Sequence, residues 1–167
     1  MKGKSNRNWL DQAECGYNYR LSELECALGR VQLGRIDEML AMRRDAAERY
    51  DAHLAGIPGL ELPPLSLPRR TISWFVYVIR LRDEATRDRV QSHLAALGIG
   101  TGRYFAPIHQ QPAWRSLAGP VALSLTDAIA PRMLALPLFN RITIVQQREI
   151  AAALRSEMEP KESAIEG

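Results

Sequence analysis

The stretch S-W-F-V-Y-V-I-R-L, residues 73–81, decides the fold class. It is rich in aromatic and β-branched residues, a composition that predicts a β-strand in the centre of a sheet. On its C-terminal side the pattern predicts a helix, a short strand, a proline-bounded loop, a helix, a short strand and a last helix. These elements are expected at about 84–97, 98–105, 106–125, 124–134, 135–139 and 143–158. Capping signals support the first and the last of these helices, namely Asp83 or Thr86 and a capping box of Thr143 with Gln146.

A long helical pattern precedes the strand. Ser22 and Glu25 form a possible capping box at its start, and apolar residues then recur at helical spacing. The stretch of about 22–55 would be roughly 50 Å long if it were one continuous helix, too long for a small domain to cover. Gly29 and Gly34 each weaken a helix by about 1 kcal/mol. We therefore expect a bend or break near them, or a partner that covers the exposed part.

Together these elements predict an α+β fold over residues 22–160. A long N-terminal helix, bent or broken, is followed by a small, mainly antiparallel sheet that is covered by helices. Residues 1–21 are polar and weakly periodic, so we expect an irregular lead-in. Residues 161–167 are polar and follow Pro160, so we expect a frayed tail.

The lysine distribution limits the chemistry. The chain has 167 residues, a formal net charge of +3 and 22 basic residues, of which only Lys2, Lys4 and Lys161 are lysines. All three lie near an end of the chain. This argues against a mechanism that needs a buried interior lysine, such as a Schiff base or a phosphate-loop lysine. The mild charge, without basic runs interleaved with aromatic residues, also argues against nucleic-acid binding.

Other classes of site are not expected either. No apolar run is long enough to span a bilayer, so no membrane association is predicted. Cys15 and Cys26 are too few for a disulfide framework and fit no common metal motif, which makes a reducing cytoplasm the default location. No pair of histidines has metal-ligand spacing, and His53 and His93 are expected on the surface.

The first candidate site is G-Y-N-Y-R, residues 16–20, just before the capped helix start. Asn18 offers an amide and Arg20 a bidentate cation, and the first amides and the positive dipole end of the helix follow them. This combination suits an anion, especially a phosphate. The alternative is a structural turn, with the asparagine in a left-handed conformation and the tyrosines in a hydrophobic staple.

The second candidate site is R-Y-F-A-P-I-H, residues 103–109, an irregular segment that follows a strand. Tyr104 and His109 are candidates for ligand contacts, because loop residues held by a rigid scaffold often carry function. The alternative is that this histidine is structural or merely exposed.

Several blocks of the sequence resemble one enzyme family. G-Y-N-Y-R-L-S-E-L-E-C-A-L-G-R-V-Q-L, residues 16–33, resembles the signature of the DegT/StrS nucleotide-sugar aminotransferases, which are pyridoxal-phosphate (PLP) enzymes of aminotransferase fold type I. The blocks that follow agree in order and spacing; they are R-R-D-A-A-E-R-Y (43–50), the strand at 73–81, G-I-G-T-G-R-Y-F-A-P-I-H-Q-Q-P (98–112) and L-A-L-P-L-F (134–139). The resemblance covers about residues 14–158 and corresponds to the C-terminal, small-domain part of the family's chain.

The resemblance implies accessory roles for four residues. Asn18 matches an asparagine that reaches across a dimer to the cofactor phosphate, and Arg20 matches an arginine near the same phosphate or the substrate. Tyr104 and His109 match the loop that contacts the sugar-nucleotide substrate. No catalytic residue is implied, because the lysine that forms the Schiff base belongs to a preceding domain that the resemblance does not cover.

Two hypotheses about function follow from these observations. The first is a C-terminal aminotransferase domain that does not transaminate alone and could complement an N-terminal half. The second is a non-catalytic dimerisation or interaction module derived from such an enzyme. Both predict a homodimer or higher oligomer, since the apolar stripe of the long helix would otherwise be exposed.

Overall fold

The computed structural model describes residues 19–103, 106–112, 114 and 119–159. Its α-helices are α1 (Glu23–Leu33), α2 (Ile36–Leu54), α3 (Glu84–Ala96), α4 (Ser124–Ile129) and α5 (Ile144–Met158). Its strands are β1 (Leu60–Glu61), β2 (Tyr77–Leu81) and β3 (Met133–Leu136). Short 3₁₀ helices occupy Ile108–Gln110 and Ala130–Arg132. This α+β architecture confirms the predicted fold class.

The strands form one antiparallel sheet in the order β1-β2-β3. Residue Tyr77 pairs with Leu136 on one side of β2, and Leu81 pairs with Leu60 on the other. The central position predicted for this strand is therefore confirmed. The strand begins at Tyr77 rather than at residue 73, because Trp74 has a φ of 51° and interrupts the extended backbone.

The remaining strand predictions were less accurate. The two-residue strand β1 lies between the long helix and the strand at 73–81, where no strand was predicted. The strand expected near 98–105 is an isolated bridge between Gly102 and Ala135. Strand β3 begins within the helix expected at 124–134 and ends before Pro137. Proline explains both boundaries: Pro131 and Pro137 lack the N–H that a helix interior or a strand ladder needs.

Helix boundaries agree better with the sequence. The Asp83 carboxylate accepts a hydrogen bond from the Thr86 amide at 2.8 Å, so this aspartate is the N-cap of α3. Thr143 and Gln146 form the predicted capping box of α5. Helix α2 ends near Gly56, which has a φ of 77°, a conformation that favours glycine.

The long helix is broken, as expected, and the break lies at Gly34. Contacts divide the chain into two compact units, Met1–Ile36 and Asp37–Gly167. In the first unit, the Ser22 capping box begins α1, and this helix buries none of its residues. Residues 19–22 form no regular element; the rest of the predicted lead-in and the tail at 161–167 lie outside the described residues.

The hydrophobic core belongs to the second unit. In β2 the side chains of Tyr77, Ile79 and Leu81 are buried, whereas Val78 and Arg80 are half-buried, so the sheet buries one face. Residues from α2, α3, β3 and α5 complete the core; they include Ala46, Ala47, Tyr50, Leu54, Val90, Leu94, Leu134, Ile150 and Leu154. Helix α3 and strand β3, which border the predicted substrate loop along the chain, both contribute to this core.

Candidate functional site

The predicted substrate loop, which follows α3, is attached to the core at its start. Gly102 and Ala135 exchange two backbone hydrogen bonds, at 3.0 and 2.8 Å. The guanidinium of Arg103 pairs with the Asp88 carboxylate and donates to the Gln91 side chain at 3.1 Å, so the loop is also attached to α3.

A buried arginine lies beneath the same segment. Arg87 is 2% exposed, and its charge is matched by Asp88 at 2.7 Å and Glu84 at 2.9 Å. Such a buried charge needs partners, and its carboxylate partners satisfy it here. Arg87 and Arg103 line a cavity of about 290 Å³ together with Pro107 of the loop.

The second attachment of the loop is made by His109. Its side chain is 10% exposed, and its Nε2 lies 2.7 Å from Oδ1 of Asp127 in α4. Gln110 donates to the same Oδ1 at 2.6 Å, and the Leu123 amide donates to Oδ2 at 3.2 Å. The hydrogen bond from His109 is the main cause that holds the pKa of Asp127 below its usual value. The carboxyl is therefore ionised at neutral pH.

The imidazole also borders a space that a ligand could enter. His109 lines a cavity of about 260 Å³ with Ile108, Trp114, Val121 and Leu123. Those neighbours are apolar, so a hydrogen bond made by the ring inside this cavity would be stronger than one made in water. Tyr104, the other residue predicted for this loop, lies outside the described residues.

Sequence reasoning missed Asp127. The carboxylate lies in the first turn of α4, where acidic residues are common for helix-dipole reasons alone. Nothing in the order of residues indicates that a histidine eighteen positions earlier contacts it. The pairing depends on how the loop packs against α4.

The start of α1 carries the predicted capping box beside the anion site proposed from sequence. The Ser22 amide donates to Oε2 of Glu25 at 2.8 Å, and the Glu25 amide donates to the Ser22 hydroxyl at 3.3 Å. The bond from the Ser22 backbone lowers the pKa of Glu25. The helix start therefore already holds a carboxylate of its own, which competes with an external anion. Arg20 is exposed and belongs to the first unit, whereas His109 belongs to the second. Asn18 lies outside the described residues.

Arg43 is a further residue that organises this part of the chain. It donates to the carbonyls of Trp74 and Phe75, both at 3.2 Å, and to the Asn140 side chain at 2.8 Å. These bonds hold the left-handed turn at Trp74. The turn presents Phe75, which is 66% exposed, at a cavity of about 240 Å³.

The other histidines, His53 and His93, which were expected on the surface, are half-buried. His93 lies 3.7 Å from Glu157, and Nε2 of His53 is buried without a partner among the described residues. In the described part of the chain, no group of three or more histidine, cysteine, aspartate or glutamate side chains could hold a metal ion. The helices of that part include none with the length and apolar character needed to cross a membrane.

The comparisons with known proteins identify the family. The sequence matches the model of the DegT/DnrJ/EryC1/StrS aminotransferase family over residues 1–155. The chain belongs to this family. This confirms the resemblance drawn from the separate sequence blocks.

Solved structures of sugar aminotransferases and related enzymes share the fold. DesV from S. venezuelae, solved in complex with a ketimine intermediate, is 31% identical with a TM-score of 0.78; the match covers 94% of this chain and 42% of that one. The aminotransferase TlmJ from Streptoalloteichus hindustanus is 31% identical with a TM-score of 0.71, over 78% of this chain and 35% of that one. AtS13 from Actinomadura melliaura is 29% identical with a TM-score of 0.75, over 87% and 38%. The chain thus spans less than half the length of these three proteins.

The described residues fit contact with the family's cofactor but not its covalent attachment. A Schiff base requires a lysine, and no lysine lies within the described residues. Arg20 is of the right type to pair with a phosphate, subject to the competing carboxylate of Glu25.

Proposed function

We propose that this chain supplies the small domain of a PLP-dependent nucleotide-sugar aminotransferase and does not transaminate alone. One observation carries the proposal: the fold aligns with 35–42% of the length of its DegT-family relatives, yet its described part includes no lysine. The reactive lysine would then lie on another segment or polypeptide that completes the site. The low cysteine content favours the reducing cytoplasm as its location.

The chain's own residues would bind and orient. PLP, when bound, supplies the electron sink for amino-group transfer. Arg20, together with Asn18, would contact the cofactor phosphate, as the resemblance implies. His109 and Tyr104 would contact the sugar nucleotide; His109 is held by Asp127 at 2.7 Å, beside an apolar cavity. Positioning of this kind contributes by keeping the reacting groups in a productive geometry.

The test measures two things separately: whether PLP attaches covalently to this chain, and whether this chain completes the active site of a large-domain polypeptide. The purified chain mixed with PLP should develop no absorbance band of a lysine-bound cofactor at about 400 nm. A polypeptide carrying the family's large domain should develop that band, and should transaminate a nucleotide sugar faster when this chain is added.

A lysine-free variant is the matched control. Lys2→Arg, Lys4→Arg and Lys161→Arg together keep the net charge and remove every lysine. The variant should complement as well as the wild type. Loss of transamination in this variant, or a borohydride-stable adduct on the wild-type chain that the variant lacks, would overturn the proposal.

A second function is favoured by the surface of α1. Leu24 is 81% exposed, and Leu28 and Val31 are each 61% exposed, one helical turn apart. An apolar strip of this kind is typical of an interface, so we propose that copies of the chain associate through it. The chain would then be a dimerisation module, with or without a complementing half.

Light scattering at tens of micromolar tests this association. The wild type should be a dimer or larger, and Leu28→Glu should shift it towards monomer. Leu125 is 73% exposed but lies on α4, so Leu125→Glu is the matched control and should leave the oligomer unchanged. A monomeric wild type would contradict association, and a dimer that never complements would favour the non-catalytic module.

A further inference from the structure

Three donors converge on one carboxylate in the predicted substrate loop. Oδ1 of Asp127 receives His109 at 2.7 Å and Gln110 at 2.6 Å, and Oδ2 receives the Leu123 amide at 3.2 Å. His109 and Gln110 belong to the 3₁₀ helix of the loop, Leu123 is the residue before α4, and Asp127 lies within α4. The carboxylate therefore joins the loop to the helix at a single point.

The ionised carboxylate decides which ring nitrogen carries a proton. A carboxylate can only accept hydrogen bonds, so the imidazole nitrogen that faces it must donate. Nε2 of His109 faces Asp127 and is therefore protonated. In a neutral ring, Nδ1 is then the acceptor that remains for a ligand.

An amide could not replace this group. Asparagine has one acceptor oxygen and one donor nitrogen. If the asparagine oxygen faced His109 and Gln110, its NH₂ group would face the Leu123 amide, which is also a donor. In the reverse orientation the NH₂ group would face the donors of His109 and Gln110. Either orientation therefore places one donor against another. The site is complementary to a carboxylate at residue 127 and not merely to a polar side chain of that size.

We propose that Asp127 is a positioning residue, which fixes the tautomer and orientation of His109 so that Nδ1 is presented to a hydroxyl of the sugar substrate. The identity of the ligand rests on the proposed function. The geometry of the pair does not, because it can be measured on the chain alone. Asp127 acts only through the loop and His109 in this scheme.

The first experiment follows the Nε2 proton by ¹H–¹⁵N NMR of the full chain. The wild type should show a downfield Nε2–H signal for His109, assigned by its loss in His109→Gln. Its exchange with water should speed up at least about tenfold in Asp127→Asn, because a charge-assisted hydrogen bond is lost. Asp127→Glu, which keeps a carboxylate, should restore the protection in part.

A carboxylate at the other attachment of the loop gives the control. Asp88→Asn also removes a charge that holds the loop, through Arg103, but does not contact His109. It should leave the Nε2–H signal unchanged. An Nδ1-protonated ring in the wild type overturns the proposal without any variant, and equal effects of Asp88→Asn and Asp127→Asn overturn it as well.

The second experiment measures the consequence for substrate in the complemented enzyme. Asp127→Asn should raise KM for the nucleotide sugar about tenfold, while the half-reaction with the amino donor stays unchanged. In the His109→Ala background, Asp127→Asn should cause no further rise in KM, because Asp127 affects the substrate only through the imidazole of His109. Additive effects would overturn the scheme. If the chain fails to complement a large domain while the Nε2–H of His109 is still protected from exchange, only the proposed function is refuted, and the assigned His109–Asp127 geometry stands.

Discussion

Two neighbouring buried tyrosines, with rings tilted by 31°, allow a stability prediction in which the hydroxyl is removed from one or the other. Tyr50 and Tyr77 are fully buried, with ring centroids 5.0 Å apart. The Tyr50 hydroxyl donates to the Pro137 carbonyl at 2.8 Å. The Tyr77 hydroxyl is buried and has no hydrogen-bond partner among the described residues. We therefore expect Tyr50→Phe and Tyr77→Phe to have different effects.

The magnitudes follow from these environments. A neutral buried hydrogen bond contributes about 1 kcal/mol to stability, so Tyr50→Phe should lower the free energy of unfolding by about that amount. Because Pro137 is half-buried, we expect no larger penalty from its carbonyl. Removing the unpaired hydroxyl in Tyr77→Phe recovers its desolvation cost and leaves a very small void. Its effect should lie between about zero and a gain of 1 kcal/mol.

Urea unfolding measures both variants directly. The slope of the free energy against urea should be unchanged, since the surface exposed on unfolding is the same. The two variants should differ by about 1–2 kcal/mol in the free energy of unfolding. A Tyr77→Phe variant as destabilised as Tyr50→Phe would refute the reasoning, because the Tyr77 hydroxyl would then have a partner in solution.

Two further predictions concern helix contacts. Gln147 is fully buried, donates to the Ala46 carbonyl at 2.8 Å and accepts from Arg49 at 2.7 Å. Gln147→Leu should therefore lower the free energy of unfolding, measured in urea, by about 2–4 kcal/mol. Gln146→Leu, on the adjacent exposed position, should cost only about 0.5–1 kcal/mol, and equal losses would contradict the assigned contacts. Hydrogen bonds from Thr86 lower the pKa of Asp83 to about 2, compared with 3.8 in the unfolded chain. The ionised carboxylate therefore stabilises the fold at pH values above 3.8, and this stabilisation is lost as the pH falls towards 2. Acid unfolding between about pH 4 and 2 should therefore be less steep in Asp83→Asn, and an unchanged slope would show that the cap does not titrate there.

Local chemistry allowed much of the fold to be predicted. The capping boxes at Ser22 and Thr143, the cap at Asp83 and the break at Gly34 depend on residues within one helical turn, and all agree with the structure. The central strand followed from its composition. Its start was misplaced because the left-handed turn at Trp74 depends on Arg43, which is distant in sequence.

The candidate site was predicted less completely, for a similar reason. His109 could be proposed because a histidine in a proline-bounded loop is conspicuous, whereas the contacts of Asp127 with His109 and of Arg87 with Asp88 appear only in the structure. The capping carboxylate of Glu25 was predicted, but its competition with an anion at the same helix start was not recognised. The site roles of Asn18, Arg20, Tyr104 and His109 all remain predictions.

The edges of the sheet bear on how the chain behaves when it is crowded with other copies. Strand β1 is only two residues long, and its Glu61 lies between the guanidinium groups of Arg80 and Arg132, each at 2.6 Å. At the opposite edge, Gly102 already pairs with Ala135 of β3. A strand from another molecule therefore meets only short runs of unpaired backbone, flanked by charge. Aggregation by strand addition should therefore be slow at either edge.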